Sequence, residues 1–204
     1  MALGSPMNTL CRVLCASIVL LTGCATVLPP PATSVGAVIA PITVRNQFSM
    51  SGRFSARNER EQVSGQFRYT ETPSTRTLSL FSPLGTALAD IVAEGGKVTL
   101  TQANGATQTA GSVAELLRTV IDLPVTDKTL SAWLQGLPAS AASSAVTAVE
   151  RDGNGWPGRF VEAGWEIAIS ERAAVTGAPK RMRWNVHGQP DTEVRWVIDE
   201  WSAP

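Results

Sequence analysis

Cys24 is the residue whose setting most clearly predicts chemistry, and that chemistry is covalent lipid attachment. It ends the tetrapeptide Leu-Thr-Gly-Cys at 21–24, directly after the apolar run 13–21. That run is shorter than the ~20 apolar residues that a transmembrane helix needs, and such a core is typical of a cleaved signal peptide. A small-residue pair before a cysteine favours a bacterial lipoprotein signal. An ordinary secretory peptide or N-terminal anchor is the alternative, and Met1 or Met7 could be the start.

Cleavage before Cys24 leaves a mature chain with one cysteine, which carries an N-acyl diacylglycerol. The other two cysteines, Cys11 and Cys15, lie in the leader. Neither a disulfide nor a cysteine metal site is then possible. About 180 residues are enough for one domain that is stabilised by its core alone.

No constellation of side chains predicts catalysis or metal binding. His187 is the only histidine, and a serine or cysteine nucleophile normally needs such a base nearby. We interpret it as a surface histidine on the polar face of a strand. Asp90, Asp122 and Asp127 lack the spacing of metal ligands, and the segment 152–155 lacks the distal glutamate of a calcium loop. We therefore predict no enzyme, no metal and no cofactor beyond the lipid on Cys24.

Net charge gives no evidence for polymeric partners. The chain balances 17 basic against 17 acidic residues, without a long basic run. We expect no nucleic-acid partner, because binding to phosphates requires clustered positive charge. Membrane attachment would then depend on acyl chains, of which one anchors marginally and two or more anchor stably.

Composition divides the chain into three segments. Residues 1–23 form the signal peptide. The lipidated cysteine and a proline-rich linker occupy 24–46, because the prolines at 29–31 and 41 favour extended, unpaired backbone. An edge strand within 35–44 is the alternative for that region. The folded domain covers 47–204.

Alternation of apolar and polar residues in that domain predicts about ten or eleven strands, each with one apolar face. Such strands favour an antiparallel sheet, here one that curves with its apolar face around the helices. The sheet and helices together can enclose either a packed core or an apolar cavity. A capping box at Ser112 and Glu115 begins one amphipathic helix, and an apolar stripe predicts a second before Pro138. The predicted strands are 48–56, 63–70, 77–80, 86–93, 97–101, 106–109, 146–151, 165–170, 181–187 and 193–199.

Tryptophan is unusually frequent, with six residues against one tyrosine. Trp165, Trp184 and Trp196 occupy inward strand positions, and Trp133 lies on a helix face. Their rings could line a lipid site, and ordinary core packing explains the same positions equally well.

A series of sequence blocks resembles the LolB family, outer-membrane lipoproteins that receive other lipoproteins from the periplasmic carrier LolA. The resemblance covers about 46–202, and the order of the blocks together with the lipidated cysteine makes it specific. The blocks are Phe-Ser-Met-Ser-Gly-Arg-Phe at 48–54, Ser-Pro-Leu-Gly at 82–85, Gly105 with 112–117, Leu-Pro-Val at 123–125, 130–138 with its Trp-Leu-Gln-Gly-Leu-Pro, Gly-Trp-Glu-Ile at 164–167 and Val-Ile-Asp-Glu-Trp at 197–201.

This resemblance implies a mainly β fold, an incomplete and strongly curved antiparallel β-barrel of about 11 strands closed by a helical plug or lid. It also implies a lipoprotein acceptor and inserter whose apolar cavity holds acyl chains. The cavity residues that we predict are Phe54, Phe67, Leu80, Trp165, Trp184 and Trp196 on the sheet, with Leu117, Trp133 and Leu134 on the helices.

The implied partners are the LolA–lipoprotein complex, outer-membrane lipoproteins as cargo, and the lipid bilayer. We expect a lipid-anchored monomer that faces the periplasm. The outer membrane is its expected location, because an aspartate after the lipidated cysteine commonly marks inner-membrane retention and residue 25 is alanine. The alternative function is an outer-membrane scaffold or assembly lipoprotein with a packed core. A hydrolase is disfavoured by the lack of a base–nucleophile pair.

The loop Pro83-Leu84-Gly85 is the predicted membrane-insertion loop. In the resembled family this leucine projects into solvent and helps to insert cargo. Proline and glycine on either side of one bulky apolar residue favour a stiff protrusion. The alternative is that Leu84 folds back into the core, which is the commoner position of a leucine.

Overall fold

The computed structural model describes residues 43–59, 61–116, 125–140, 146–187 and 189–204. Within these ranges eleven strands form one antiparallel sheet. The strands are β1 (Phe48–Arg57), β2 (Gln62–Glu71), β3 (Thr75–Phe81), β4 (Ala87–Glu94), β5 (Lys97–Gln102), β6 (Thr107–Ala110), β7 (Val146–Arg151), β8 (Pro157–Glu162), β9 (Trp165–Arg172), β10 (Pro179–Val186) and β11 (Gln189–Ser202).

The sheet is open, and its order is β6-β5-β4-β3-β2-β1-β11-β10-β9-β8-β7. Its edges are β6 and β7, and no ladder joins them within the described ranges. The helix α1 (Asp127–Leu134) buries its apolar stripe, including Leu130, Trp133 and Leu134. Residues 113–116 are also helical. The predicted class, a mainly β antiparallel fold with about 11 strands and few helices, is confirmed.

Period-two patterning decides which face of each strand is buried. In β1 the inward positions include Phe48, Met50 and Phe54, and the outward ones are partly or fully exposed. Gly52 is also inward, where a Cβ would lie 2.0 Å from the carbonyl oxygen of Val197. Only glycine allows this close approach of two backbones, and the ladder between β1 and β11 shifts register at the same point.

One strand and one helix start differ from the sequence predictions. The predicted strands do not include β8, because its first residues, Pro157 and Gly158, are typical of a turn. Proline is nevertheless compatible with the first position of a strand. At the first predicted helix, Ser112 Oγ accepts from the amide of Glu115 at 3.1 Å, but the carboxylate of Glu115 accepts from Gly111 at 3.0 Å instead of closing the box. A reciprocal box occurs at α1, between Thr126 and Thr129.

Antiparallel pairing places successive connections at alternate ends of the sheet. The mouth end, as we name it, carries the β1–β2, β3–β4, β5–β6, β8–β9 and β10–β11 connections. The base end carries the β2–β3, β4–β5, β7–β8 and β9–β10 connections, together with the start of β1 and the end of β11. His187 is exposed in the turn after β10, at the mouth end.

Candidate functional site

An apolar cavity of about 410 Å³ lies between the inner face of the sheet and α1. Its volume falls in the range of ~300–1,000 Å³ that is usual for ligand sites. None of the described lining residues carries a charge. It consists of Phe54, Ala56, Val63, Leu78, Leu80, Leu88, Ala89, Ile91, Leu100, Gln102, Ala103, Asn104, Leu130, Leu134, Trp184, Val194 and Trp196.

The cavity opens at the mouth end. Its exposed lining residues are Val63 at the start of β2, Leu88 at the start of β4, and Ala103 and Asn104 in the β5–β6 turn. Its deep residues, such as Leu100, are almost fully buried. Apolar side chains therefore continue from the interior to the rim.

Five predicted cavity residues lie in the lining: Phe54, Leu80, Leu134, Trp184 and Trp196. Three others, Phe67, Trp133 and Trp165, lie in the packed core beside it instead. Leu117 is outside the described residues.

Aromatic contacts connect the core residues to the cavity wall. The Phe67 ring meets Trp196 edge-on at 4.9 Å, and the Trp133 ring meets Trp184 edge-on at 5.7 Å. The predicted cavity list did not include Leu78, Ile91 and Leu100, which line the cavity from inward positions of β3, β4 and β5. The period-two pattern of these strands was the signal that could have identified them.

The C-terminal end of α1 is fixed to the sheet by Glu162, a buried carboxylate on β8. The indole N–H of Trp133 donates to its Oε2 at 2.8 Å. The amides of Ala139 and Ser140 donate to the same carboxylate at 2.9 and 2.8 Å. A buried carboxylate requires such donors, and these three hold the end of the helix against the sheet.

The N-terminal end of α1 is fixed through a chain of polar contacts. Asp127 accepts from the amide of Ala114 at 3.1 Å and lies 3.6 Å from the guanidinium of Arg76. Arg76 in turn donates to the buried Glu71 at 3.0 Å, and Tyr69 Oη donates to Glu71 at 2.7 Å. Burial, followed by the charge and the hydrogen bond of Glu71, raises the pKa of Tyr69 well above its ordinary value.

Leu84 projects into solvent from the β3–β4 turn, with 95% of its surface exposed. The turn is braced, because the amide of Gly85 donates to the carbonyl of Ser82 at 2.9 Å and the Gln66 amide donates to the carbonyl of Pro83 at 3.2 Å. Gly85 has φ +85°, a conformation that favours glycine. Leu84 therefore does not fold back into the core, and it lies at the mouth end.

The described residues contain no group of three or more histidine, cysteine or acidic side chains that could hold a metal ion. None of the described helices is long and apolar enough to cross a membrane. Cys24 lies outside the described residues.

The fold, an open antiparallel sheet around an apolar interior and a helix, is similar to that of a solved LolA superfamily protein. A solved LolA superfamily protein from Nitrosomonas europaea superposes with a TM-score of 0.50, covering 79% of this chain and 88% of that one. The two sequences are 8% identical, so this similarity concerns the fold alone.

The chain belongs to the LolB family, since the family model "Outer membrane lipoprotein LolB" matches residues 46–201. A relative from Thiobacillus denitrificans, named outer-membrane lipoprotein LolB, is 34% identical over 90% of this chain and 93% of its own length. A relative of the same name from Chromobacterium violaceum is 33% identical over 93% and 98%. The predicted resemblance is confirmed, and the family is one of lipoprotein trafficking, not of enzymes.

Proposed function

We propose that this protein accepts lipoproteins from LolA by binding their acyl chains in the cavity, and inserts them into the outer membrane. It acts as a monomer, anchored through the N-acyl diacylglycerol on Cys24 and facing the periplasm. The observation that carries the proposal is the apolar cavity whose opening lies at the same end of the sheet as the exposed Leu84.

The chemistry of the lining supports an acyl ligand. Of the lining residues that the structure describes, only Gln102 and Asn104 are polar, and both belong to the β5–β6 hairpin at the mouth end. Each methylene buried from water contributes about 0.8 kcal/mol. An acyl chain that moves from a shallower site into this cavity therefore lowers its free energy. Its free energy falls further when it enters the bilayer. Transfer can proceed without ATP, in agreement with a sequence that carries no phosphate-binding loop.

Leu84 supplies the step from cavity to membrane. A leucine held out by a braced turn inserts among lipid tails without any change in the fold of the domain. Burial of its side chain contributes roughly 1.5–3 kcal/mol. Because the cavity opens at the same end, this contact brings the opening towards the bilayer and lowers the barrier to acyl-chain release.

The test replaces Leu84 with glutamate and follows a radiolabelled lipoprotein from LolA to this protein and then to vesicles. Loss of the apolar contact should slow insertion roughly tenfold or more. Binding of the cargo should remain normal, because Leu84 does not line the cavity.

Val149→Glu is the matched control, since Val149 is an exposed apolar residue on β7 outside the cavity lining. It should insert cargo at the rate of the unmodified protein. Normal insertion by Leu84→Glu would show that the leucine has no such role. The alternative function, a scaffold with a packed core, predicts that neither variant ever acquires cargo.

A further inference from the structure

Val175 forms a second apolar protrusion, at the base end. Its exposed fraction is 97%, in the loop that joins β9 to β10. Among the described residues, only Leu84 approaches this value, and the other exposed large apolar side chains reach at most 42%. Its neighbours in the sequence, Ala174 and Thr176, are exposed as well, and neither carries a charge.

The Val175 loop, residues 173–178, is held rigidly. The amide of Ala173 donates to the carbonyl of Ala178 at 2.8 Å, and the amide of Gly177 donates back to the carbonyl of Ala173 at 2.9 Å. Gly177 packs so closely on the ring of Trp156 that a Cβ would lie 2.3 Å from it. Val175 is therefore a fixed feature of the surface.

Arg172 braces this loop from below. Its guanidinium donates to the carbonyl oxygens of Gly177 at 2.8 Å, Gly136 at 2.7 Å and Pro157 at 2.8 Å. It forms no ion pair within the described ranges, and burial lowers its pKa to about 10 although Asp152 opposes that shift. Keeping a cation away from water without a carboxylate partner is costly. Three hydrogen bonds to carbonyl oxygens and the Trp156 ring, whose centroid lies 5.4 Å from Arg172 Cζ, offset this cost. These contacts join three segments, one of which is the Val175 loop.

The chain enters the domain beside the same loop. The amide of Arg45 donates to Gln135 Oε1 at 2.8 Å, and Gln135 Nε2 donates to the carbonyl of Arg45 at 3.0 Å. Gly136, the next residue, is the one that Arg172 holds. Cys24 precedes Arg45 by 21 residues, so the lipid can lie at most roughly 75 Å from this point.

We propose that Val175 is a second bilayer contact, at the opposite end of the sheet from Leu84. This inference rests on the lipid anchor of the proposed function. The anchored domain rests on the membrane with its base end, where Val175 enters the apolar edge of the bilayer. Its mouth end then faces the periplasm, where loaded LolA arrives. The domain turns over to bring Leu84 to the membrane for insertion.

Lysine and arginine side chains flank this contact. Lys180 and Arg181 follow the loop on β10, with side chains about half exposed, and both pair with Glu171 at 3.6 and 2.8 Å. Two cations against one carboxylate leave one positive charge next to the loop. That charge suits lipid phosphates at the depth of the headgroups.

The experiment measures how fast a membrane-impermeant maleimide reacts with Val175→Cys in the full lipidated protein, where the lipid blocks Cys24. The protein is reconstituted into vesicles of phosphatidylethanolamine with a minority of phosphatidylglycerol, without cargo, and compared with the same protein in detergent. We expect reaction in vesicles to be several-fold slower. Leu84→Cys, the matched variant at the mouth end, should react equally fast in both.

A second pair of variants tests the side chain itself. Thr176→Cys should be protected in vesicles when Val175 is present, and Val175→Asp in the same chain should restore the detergent rate. Protection that persists in the aspartate variant would show that Val175 is not the contact, and overturns the proposal.

Other outcomes also decide it. Equal rates for Val175→Cys in vesicles and detergent, or slow reaction of Leu84→Cys without cargo, overturn the proposed orientation. Protection that requires added LolA and no bilayer would make the loop a protein-docking surface, which also overturns it. Failure to enter vesicles refutes the anchor and the inference together. Protection at Val175 with failed cargo insertion supports the contact while refuting the proposed function.

Discussion

At the scale of single residues, the core changes the pKa of Tyr69. Its phenol lies on the inner face of β2 and donates to Glu71 at 2.7 Å. Burial, then the charge of Glu71 and that hydrogen bond, raise its pKa above the ordinary value of 10.0. The folded state therefore keeps a proton that the unfolded state releases from about pH 10. Stability from this residue is complete below pH 10 and declines as pH rises above it.

Tyr69→Phe should remove that dependence. Between pH 10 and 11 the unmodified protein should lose about 1 kcal/mol more unfolding free energy than the variant, because one proton is released only on unfolding. Urea unfolding of both proteins from pH 8 to 11 measures the difference. Parallel pH profiles would mean that the phenol is not insulated from solvent as its burial implies.

Residues with distant partners explain why part of the site could not be predicted from sequence. The exposure of Leu84 was expected mainly from the family resemblance, and its neighbours Pro83 and Gly85 add a local signal for a protrusion. Glu162 and Gln135 gave no such signal, because their partners lie 22 to 29 and 90 positions away. Only the folded sheet brings Glu162 to Trp133, so the sequence left open whether that indole lines the cavity or lies in the packed core.

At the scale of elements, the contacts of α1 favour a fixed plug over a movable lid. Glu162 holds its C-terminal end and Asp127 its N-terminal end, and Trp133 between them is fully buried. A lid would have to break these contacts at each opening. In the proposed function, acyl chains enter instead through the mouth end, past Val63 and Leu88, while α1 stays in place.

Glu162→Ala tests the role of the plug. Two backbone amides and one indole N–H lose their acceptor, so we expect the unfolding free energy to fall by about 2–4 kcal/mol. Hydrogen exchange of the α1 amides should accelerate as well. Glu150→Ala is the control, since Glu150 is exposed and its ion pair with Arg159 is long, at 3.8 Å. The change in unfolding free energy should stay within about 0.5 kcal/mol. A stable Glu162→Ala variant with slow exchange in α1 would contradict the fixed plug.

Elements with a clear period could be predicted, and elements whose ends resemble turns could not. β1, β2, β9 and β11 alternate over long runs, so their inner faces were identified. β8 begins with proline and glycine, and it is held as a strand by its ladders to β7 and β9. The cavity was predicted only through resemblance, because alternation does not distinguish an inward leucine that meets another side chain from one that meets empty space.

At the scale of the whole molecule, the described domain has two ends, and our proposals assign a different function to each. The mouth end combines the cavity opening with Leu84, and the base end combines the point where the chain enters the domain, at Arg45, with the Val175 loop. In the proposed cycle, cargo is received while the base end lies on the membrane and is delivered when the mouth end replaces it. The length of chain between Cys24 and Arg45 allows both positions.

The most direct test of this account asks whether acyl chains occupy the cavity. Ala89 lies on β4 in the lining, partly buried, so Ala89→Trp places an indole in the open space. Val92→Trp puts the same ring on the opposite face of that strand. Ala103→Trp narrows the rim without entering the core, and urea unfolding verifies that all three fold.

The measurement is transfer of a lipoprotein with a photoreactive acyl chain from LolA to each variant, read as the cross-linked fraction. The account predicts strong loss of cross-linking for Ala89→Trp and Ala103→Trp, and an unchanged fraction for Val92→Trp. Unchanged cross-linking in a folded Ala89→Trp variant would contradict it, because the acyl chains would then bind elsewhere.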